Sequence, residues 1–493
     1  MMSGRLPTGR PAHYFLFTLS LAAIFTFSDA ATAHSSNSGH VLRRQQLTRQ
    51  RSERILASLA AGAAPPLSTP QSSSSSSQLR SRVYSVMDYG ADPRGIADST
   101  QAIKRALADA CASLEDRRLM SQIADLGGSE LNLGGGSYLI SSPLTLPSNP
   151  IGNIKIHQGT LRASDDFPAG RYIIELGSNS SESTTSNYNF EFVTLSGLMI
   201  DANHRAGGII VINSLRTTIS GCYIVRFTSE GISVRSGHET LITNSFIGQQ
   251  ITAGAHPQEK SFTGTGISLT GNDNIVTDVV IFSAAIGILI AGPANILTGV
   301  HCYNKASAFG GMGIYLKSPG LTQTRIVNCY LDYNSIVSED PVQLHVSGTF
   351  FLGDANVVLK SVKGVLRGIN IVENVFSGLG GGVDIVRLDE SGGAFTAVDQ
   401  VMVGRNSVEG MRVRSTVGKA SVRGNGTTWT VDFSPVLLFP NRIDQVQYSL
   451  LAGSEFPKHA LRKVSDNRVV IESDVAVQAT VYAHVEQYGG IMA

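Results

Sequence analysis

Charged residues are scarce in this chain of 493 residues: Asp, Glu, Lys and Arg together make up 16%, while there are 51 glycines. This composition argues against a helical protein and favours a turn-rich all-β protein. Apolar residues make up 42% of the chain, enough for a substantial core. A membrane span is not expected, because the apolar run at residues 14–27 has only 14 residues and about 20 are needed.

An excess of basic residues is also absent from most of the chain. Residues 1–81 contain eight Arg and two acidic residues, so residues 82–493 carry 31 basic and 36 acidic residues, a formal charge of −5. Nucleic acid is therefore not an expected partner. An anionic ligand would need cations gathered at one place.

The first 33 residues have the order of a secretory signal peptide: Arg5 and Arg10, then the apolar run, then small residues up to Ala33. A signal anchor is the alternative. Residues 34–81 contain basic residues followed by six consecutive serines, which predicts a flexible linker or pro-segment. We therefore expect a protein that is secreted to the extracellular space or cell wall and has no membrane partner.

A repeat runs from about residue 193 to residue 376. Short strand-like segments end at positions that we align as 198, 222, 245, 279, 302, 329, 349 and 375, and most steps are 20–27 residues. A second short strand follows a glycine in each unit, as in residues 231–234. Units of this length cannot each bury a core, so they must stack. The period predicts a parallel β-helix, since the Leu/Asn signature of leucine-rich repeats is missing.

The predicted β-helix spans residues 82–410 and begins with an alternating strand. Asp98-Ser99-Thr100 is a candidate N-terminal cap for a helix whose apolar residues recur at helical spacing up to Ala110. We expect this helix to cover the open end of the apolar core.

Residues 88–103 (Asp-Tyr-Gly-Ala-Asp-Pro-Arg-Gly-Ile-Ala-Asp-Ser-Thr-Gln-Ala-Ile) resemble the first motif of the pectin-lyase-like superfamily, and residues 131–140 resemble its next strand, glycine turn and strand. Within that superfamily, residues 301–306 and 328–333 are similar to the plant Quartet-type polygalacturonases that separate pollen tetrads. The resemblance implies a right-handed parallel β-helix that hydrolyses α-1,4-linked galacturonate with inversion, without a metal or other cofactor.

The chain departs from that family on the groove. Typical polygalacturonases carry Asn-Thr-Asp, Gly-Asp-Asp, Gly-His-Gly and Arg-Ile-Lys there, and this chain has none of these motifs. Residues 229–232 (Ser-Glu-Gly-Ile) lie where Thr-Asp-Gly-Ile would fall. Either a diverged site performs the hydrolysis, or the implied activity does not apply to this chain.

The repeat fades after about residue 410, and residues 411–493 are predicted to form a small β domain that closes the far end of the β-helix. A carbohydrate-binding role is the alternative, although the chain has a single Trp, Trp429. Cys302 and Cys329 fall in aligned positions, where they form either a disulfide or a stack of buried free thiols. Asn179 and Asn425 lie in glycosylation sequons.

Residues that follow each repeat glycine alternate between the core and the outer face. Stacked outward positions predict a long shallow groove, which suits an extended polymer. These positions are Ser233 and Arg235, Ser268 and Thr270, Leu289 and Ala291, and Tyr315 and Lys317. We expect Arg235 and Lys317 to bind uronate carboxylates and Tyr315 to stack on a sugar ring.

Hydrolysis of a glycosidic bond needs one carboxylic acid and one carboxylate. Our preferred catalytic residues are Glu230, Asp273, His238 and Glu239. His238 and Asp273 each lie seven residues past their repeat glycine, so we align them on neighbouring coils. The only long insertion of the repeat, residues 248–263, belongs to the same coil.

Each of these residues also has a structural interpretation. His238 is then a turn cap, Asp273 an Asx turn and Glu230 an exposed residue at a strand edge. Second choices are Glu339 and Asp340, where the groove strand begins at either Ile336 or Val342. Asp201 is a third choice, one coil before Glu230.

The sequence thus predicts a monomeric, secreted glycoside hydrolase whose partner is polygalacturonate, the demethylated part of pectin in plant cell walls. One alternative is a Ca²⁺-dependent pectate lyase that acts by β-elimination. The other is a non-catalytic protein that binds pectin in the wall.

Overall fold

The computed structural model describes residues 82–112, 117–147, 149–177, 188–254, 262–305, 309–320, 322–453 and 456–488. The predicted signal peptide (1–33), the predicted linker (34–81) and the predicted glycosylation site Asn179 lie outside the described residues. All described residues belong to one compact unit, Leu79–Ala493. In the described ranges there are one α-helix, α1 (Thr100–Ala110), one 3₁₀ helix (Val86–Tyr89) and 38 strands.

Ten strands, one from each coil, form a parallel sheet that we call the groove sheet. They are β6 (Leu144–Thr145), β8 (Tyr172–Leu176), β10 (Gly207–Ile212), β14 (Glu230–Arg235), β17 (Thr265–Leu269), β20 (Ile286–Ile290), β23 (Met312–Leu316), β26 (Ser335–Glu339), β29 (Asn356–Lys360) and β32 (Val386–Asp389). Each pairs with its equivalent in the next coil, so that Ser233 lies beside Ser268 and Ser268 beside Leu289. The predicted parallel β-helix is confirmed.

The other side of each coil belongs to a sheet of 24 strands that we call the back sheet. Its first half contains β1 (Val83–Ser85), β2 (Arg94–Asp98), β3 (Arg118–Met120), β4 (Ile123–Asn132), β5 (Ser137–Ile140), β7 (Ile151–Ala163), β9 (Phe190–Asp201), β11 (Ser214–Leu215), β12 (Thr218–Ser220), β13 (Tyr223–Val225), β15 (Leu241–Thr243) and β16 (Phe246–Gly248). Its second half contains β18 (Ile275–Thr277), β19 (Val280–Phe282), β21 (Ile296–Thr298), β22 (His301–Tyr303), β24 (Arg325–Val327), β25 (Tyr330–Asp332), β27 (His345–Ser347), β28 (Phe350–Leu352), β30 (Val365–Val372), β31 (Val375–Ser377), β33 (Ala397–Gly404) and β34 (Ser407–Glu409). Most coils therefore contribute one groove strand and two short back strands.

The corners between these strands are held by residues with positive φ. At the corner after the groove strand, φ is 54° at Arg216, 56° at Glu239, 57° at Asp273 and 58° at Ala294. A left-handed conformation costs a non-glycine residue roughly 1–2 kcal/mol, and the stacked coils on either side must offset this cost. Glu239 and Asp273 are thus corner residues.

A second corner stands between the two back strands, and it corrects the repeat alignment. Because His301 pairs with Tyr330, Cys329 lies beside Val300, and Cys302 lies beside Leu331. Because Phe350 pairs with Val375, Asn374 follows Thr349 in the series. The aligned positions 302 and 375 were therefore wrong, by two residues and by one. The repeated Cys-Tyr pair misled the alignment, and the corner glycine Gly299 (φ 63°) marks the true register.

All four cysteines are buried free thiols. Of the two alternatives for Cys302 and Cys329, the buried free thiols are confirmed and the disulfide is not. The two residues are not equivalent in the coil, so they do not stack on each other. Burial raises the pKa of the Cys329 thiol to about 11.

The interior of the β-helix is a continuous apolar core that is covered at both ends. At one end α1 buries Ala102, Ile103, Ala106 and Leu107. The helix begins as predicted, since Asp98 accepts the Thr100 N–H at 2.9 Å. At the other end Leu438 and Phe439 join the same core. Within the described ranges, no helix has the length and apolar content needed to cross a membrane.

Beyond β34 the chain forms an antiparallel sheet that we call the C-terminal sheet. Its strands are β35 (Val417–Asp432), β36 (Gln445–Ala452), β37 (His459–Ser465) and β38 (Arg468–Glu486). β38 pairs with all three others. This sheet has an apolar core of its own that includes the buried Trp429. The predicted boundary at residue 410 stays a prediction.

Candidate active site

The outer face of the groove sheet carries the predicted groove residues in register. Ser233, Ser268, Leu289 and Tyr315 occupy one row across β14, β17, β20 and β23. Two residues further along are Arg235, Thr270, Ala291 and Lys317, aligned by backbone hydrogen bonds to the preceding coil. The predicted outward positions therefore lie in register.

Three groups at the first half of the groove form a cluster that we call the N-terminal triad: Tyr172, Glu230 and Arg235. The Tyr172 hydroxyl donates to Glu230 Oε2, and Arg235 Nη2 lies 3.4 Å from the same oxygen. The Glu230 side chain is 20% exposed. Burial, and then the hydrogen bond to Glu230, raise the pKa of Tyr172 to about 12.

The N-terminal triad depends on a glycine in the intervening strand. Tyr172 lies beside Gly207 on β10, and its ring occupies the space where a side chain at Gly207 would lie, because a Cβ there would be 2.4 Å from the ring. Tyr172 thereby crosses one coil to reach Glu230. Tyr172 was not predicted as a site residue, because it precedes the recognisable repeat.

A second carboxylate, Glu175, lies near this triad but is fully engaged. Its Oε1 accepts the Arg171 Nε–H at 2.8 Å and the Tyr172 backbone N–H at 3.0 Å. Its Oε2 forms the second half of the ion pair with Arg171 at 2.5 Å. Glu175 is buried, and both of its oxygens already accept hydrogen bonds from Arg171.

The predicted residues His238, Glu239 and Asp273 come together, at the corner that follows the groove strands. His238 Nδ1 lies 3.1 Å from Asp273 Oδ2, and His238 Nε2 lies 3.6 Å from Glu239 Oε1. Arg216 ties Glu239 to Glu191, at 2.8 Å from each. The backbone bridge, however, joins His238 to Asn272. The predicted His238–Asp273 alignment was therefore wrong by one residue, although the side chains meet.

Glu230 and Asp273 cannot act on the same bond. Glu230 lies beside Thr265 at the start of β17, whereas Asp273 lies past the end of that strand, beyond Leu269. Four residues of a strand already span roughly 13 Å, and an inverting pair needs roughly 6.5–9.5 Å. The geometry does not support the predicted acid–base pair of Glu230 and Asp273, because the two carboxylates lie at opposite ends of a groove strand.

Further along the groove a second cluster, the C-terminal triad, repeats the chemistry of the first with Tyr315, Glu339 and Lys360. The Tyr315 hydroxyl donates to Glu339 Oε1 at 2.7 Å, and Lys360 Nζ donates to the same oxygen at 3.0 Å. The Glu339 side chain is 11% exposed. Burial, and then the hydrogen bond to Glu339, raise the pKa of Tyr315 to about 12.

The register at this triad is settled by β26. Ile336 pairs with Ile314, so the groove strand begins before Ile336 and not at Val342. Glu339 therefore belongs to the outer face, in the row that also holds Lys360 and Asp389. Lys317 is exposed, and its side chain has no hydrogen bond or ion pair with the described residues.

Asp389 is a groove acid that the sequence did not suggest. It lies beside Lys360, on the last groove strand. Hydrogen bonds from Ser391, and then the charges of Arg387 and Lys360, hold the pKa of Asp389 below its usual range. Two strand spacings of about 4.8 Å separate the backbones of Glu339 and Asp389, about 9.6 Å in total. Glu339 and Asp389 therefore lie in one row of the outer face, on either side of Lys360.

Asp340 and Asp201 have structural roles. Asp340 is buried, and its carboxylate accepts four backbone N–H groups, from Val362, Lys363, Gly364 and Val365. Asp201 is also buried, and its two oxygens form a bidentate ion pair with Arg226. Neither carboxylate faces the groove, so the geometry does not support them as second-choice catalytic residues.

Asn425 is exposed on β35. Residues 255–261, within the predicted long insertion, lie outside the described residues. No group of three or more His, Cys, Asp and Glu side chains in the described ranges is arranged to hold a metal ion.

Two solved structures that resemble this chain are carbohydrate-active proteins by name. Endo-xylogalacturonan hydrolase from Aspergillus tubingensis has a TM-score of 0.47 and 14% identity, over 67% of this chain and 95% of that one. The A-module of the mannuronan C-5 epimerase AlgE6 from Azotobacter vinelandii has a TM-score of 0.41 and 12% identity, over 66% of this chain and 98% of that one.

The sequence comparisons are closer. Residues 83–330 match the family described as rhamnogalacturonase A/epimerase, pectate lyase-like. Polygalacturonase QRT3 of Arabidopsis thaliana is 60% identical over 409 residues, which cover 82% of this chain and 84% of that protein.

Proposed function

Because this chain belongs to the pectate lyase-like rhamnogalacturonase A/epimerase family, we propose that it is a secreted glycoside hydrolase that cuts α-1,4-linked galacturonate in demethylated pectin. The similarity to a polygalacturonase supports galacturonan as the substrate class. A long open groove supports an extended polymer. The proposal places hydrolysis at the C-terminal triad and Asp389.

The observation that carries this proposal is the pair Glu339 and Asp389 on either side of Lys360. Hydrolysis needs two carboxyl groups, and inversion needs room for a water molecule between one of them and the sugar. Glu230 lacks such a partner: the outward positions of β17, β20 and β23 carry no acid, and Glu175 is engaged with Arg171.

Glu339 is assigned as the proton donor and Asp389 as the base. Glu339 is the less exposed of the two carboxyl groups, at 11% against 25%. Both of its hydrogen-bond donors bind Oε1, which leaves Oε2 to carry the proton. Asp389, with its lowered pKa, is ionised and takes a proton from water. The water oxygen bonds to the anomeric carbon as the glycosidic C–O bond breaks, and the Glu339 proton goes to the leaving oxygen.

Cations along this part of the groove bind the uronate carboxylates. Lys317 directly follows β23, Lys360 ends β29, and Arg387 lies on β32. Positive charge therefore recurs along the path of the polymer. Arg235 lies in the same groove at the N-terminal triad. The N-terminal triad is four strand spacings from Glu339, about 19 Å, and binds a distant part of the polysaccharide.

Incubation of the purified protein with polygalacturonate tests the activity. We expect reducing ends to appear without the ultraviolet absorbance of unsaturated uronides. Unsaturated products would replace hydrolysis by β-elimination, and binding without cleavage between pH 4 and 7 would make this a wall-binding protein. Either result would overturn the proposal.

The cellular part of the proposal is tested separately. We expect N-terminal sequencing of the protein recovered from the wall to begin after Ala33 or further on, and light scattering to give the mass of a single chain. A protein that keeps residues 14–27 would instead have a signal anchor.

A further inference from the structure

One face of the C-terminal sheet is open and polar, and it lies outside the groove. Strands β35, β38 and β36 stand side by side, and their outward residues form a regular grid. Its rows are Lys419, His484 and Gln447; Ser421, Tyr482 and Ser449; Arg423, Thr480 and Leu451; and Asn425 with Gln478. Six residues of β35 span about 20 Å.

Two clefts lie end to end on this face. One, of about 560 Å³, is lined by residues that include Lys419, Tyr482 and His484. The other, of about 690 Å³, is lined by residues that include Arg423 and Thr480. Together they follow the direction of the strands, and we call this face of β35, β38 and β36 the trough.

The side chains of the trough suit a sugar acid. Tyr482, on the central strand, is 50% exposed, and Leu451 is 63% exposed, so that an aromatic ring and an aliphatic group are available to the apolar faces of sugar rings. Hydroxyl and amide groups surround them.

The charge of the trough is positive. Lys419 and Arg423 are exposed, and neither side chain has an ion pair with the described residues. Glu486 lies beyond the row of Lys419, beside Val417 and Gln445, and is 3.7 Å from His484. Two unpaired cations about 14 Å apart along the strand suit a polymer that carries regularly spaced carboxylates.

We propose that this trough is a second binding surface for polyuronate, which holds the polymer while the groove acts on another part of it. The inference takes its ligand class from the proposed function, but the binding is independent of catalysis. Two linked binding surfaces raise the affinity for a ligand long enough to span them, by up to about 10²–10⁴-fold. Short oligomers gain nothing.

The test uses the full chain, produced without a glycan at Asn425, and the double variant Lys419→Ala/Arg423→Ala. We expect its affinity for long polygalacturonate to fall at least about tenfold in titration calorimetry, while hydrolysis of trimers stays unchanged. Tyr482→Ala should show the same split. The matched control is Lys458→Ala/Lys463→Ala, which removes the same charge from exposed positions elsewhere in this domain.

Unchanged affinity of the double variant for the polymer would overturn the proposal, as would an equal loss with the control. The proposal would also be overturned if the double variant lost as much affinity for fully methyl-esterified pectin, because the trough would then not recognise the charge of the carboxylates. Absence of hydrolysis in the unaltered protein would overturn the proposed function alone, since the binding measurement would still stand.

Discussion

The N-terminal and C-terminal triads place the same three kinds of group on one groove, yet their surroundings differ. In each, a tyrosine hydroxyl and a cation bind one oxygen of a glutamate. Near Glu230 the second carboxylate is locked by Arg171. Near Glu339 it is Asp389, 25% exposed and beside a lysine. The three groups of a triad therefore do not by themselves make a catalytic site. Whether the glutamate has a second carboxylate to work with depends on the side chain two strands away.

The largest effect is expected from the two carboxylates of the C-terminal region. Glu339→Gln and Asp389→Asn should each lower kcat on polygalacturonate by about 10²–10⁴-fold, the usual contribution of general acid–base catalysis. Glu230→Gln should lower it much less, since Glu230 has no partner carboxylate. Reducing-end assays on the three purified variants measure this.

Asp273→Asn is the control for that comparison, because the residue is half-buried at the corner beyond the end of the groove strand. A loss of kcat with Glu230→Gln and Asp273→Asn, but not with Glu339→Gln, would reverse the assignment and return catalysis to the N-terminal half.

The next largest effect concerns the support of the C-terminal triad. Asp340 anchors the loop that follows Lys360 through four backbone N–H groups. Asp340→Asn removes the charge that these donors share and should lower the free energy of unfolding by about 1–3 kcal/mol. Urea denaturation measures it. Equal stability of this variant and the unaltered protein would show that the anchor is unimportant.

Gly207→Ala tests the support of the N-terminal triad. The new methyl group would lie 2.4 Å from the Tyr172 ring, so Tyr172 must move away from Glu230. Overpacking should cost about 1–3 kcal/mol in urea denaturation, with kcat retained if this triad only binds. Gly453→Ala is the control, since a Cβ there meets nothing within 4 Å.

The smallest effect is a shift of the pH profile. Asp389 has a lowered pKa in the folded protein, so its carboxylate stays ionised to lower pH than in the unfolded chain. Asp389 therefore contributes to stability above its pKa in the unfolded chain, and this contribution is lost as pH falls through its pKa in the folded protein. The activity of the base is lost over the same range. Ser391→Ala should move the acid limb of kcat/KM upward by less than about one pH unit.

If Ser391→Ala moved the acid limb of kcat/KM downward, or left it unchanged, Asp389 would not be the base whose ionisation controls the rate. Ser391→Ala should leave the hydrogen bond between Tyr172 and Glu230 at the N-terminal triad unchanged. The effects of Glu230 variants should therefore be independent of this substitution.

The sequence predicted local features that depend on a few neighbouring residues. Alternation after each glycine identified the outward side chains of β14, β17, β20 and β23, and the helical spacing from Ala102 to Ala110 identified α1. Both follow from periodicities of 2 and 3.6 that short segments express by themselves. They give the solenoid, but they leave open which residues meet.

Contacts between coils required the tertiary structure, because one extra residue in a turn shifts every neighbour that follows. His238 was aligned with Asp273 and pairs with Asn272; Cys302 was aligned with Cys329 and lies beside Leu331. Coil length varies: Ser236, with φ 51°, stands between Arg235 and Gly237, whereas the next coil passes directly from Thr270 to Gly271. No count along the sequence shows which residue takes that conformation.

The chain by itself therefore determined a stack of short strands, the residues of its core and the outward rows of a groove, because burial of apolar side chains at a fixed period leaves few other arrangements. Only the tertiary structure decided that Glu230 and Asp273 lie apart, that Asp340 is an anchor and that Asp389 faces the same groove as Glu339. These outcomes depend on register between strands many residues apart, and that register is fixed by the packing of whole coils.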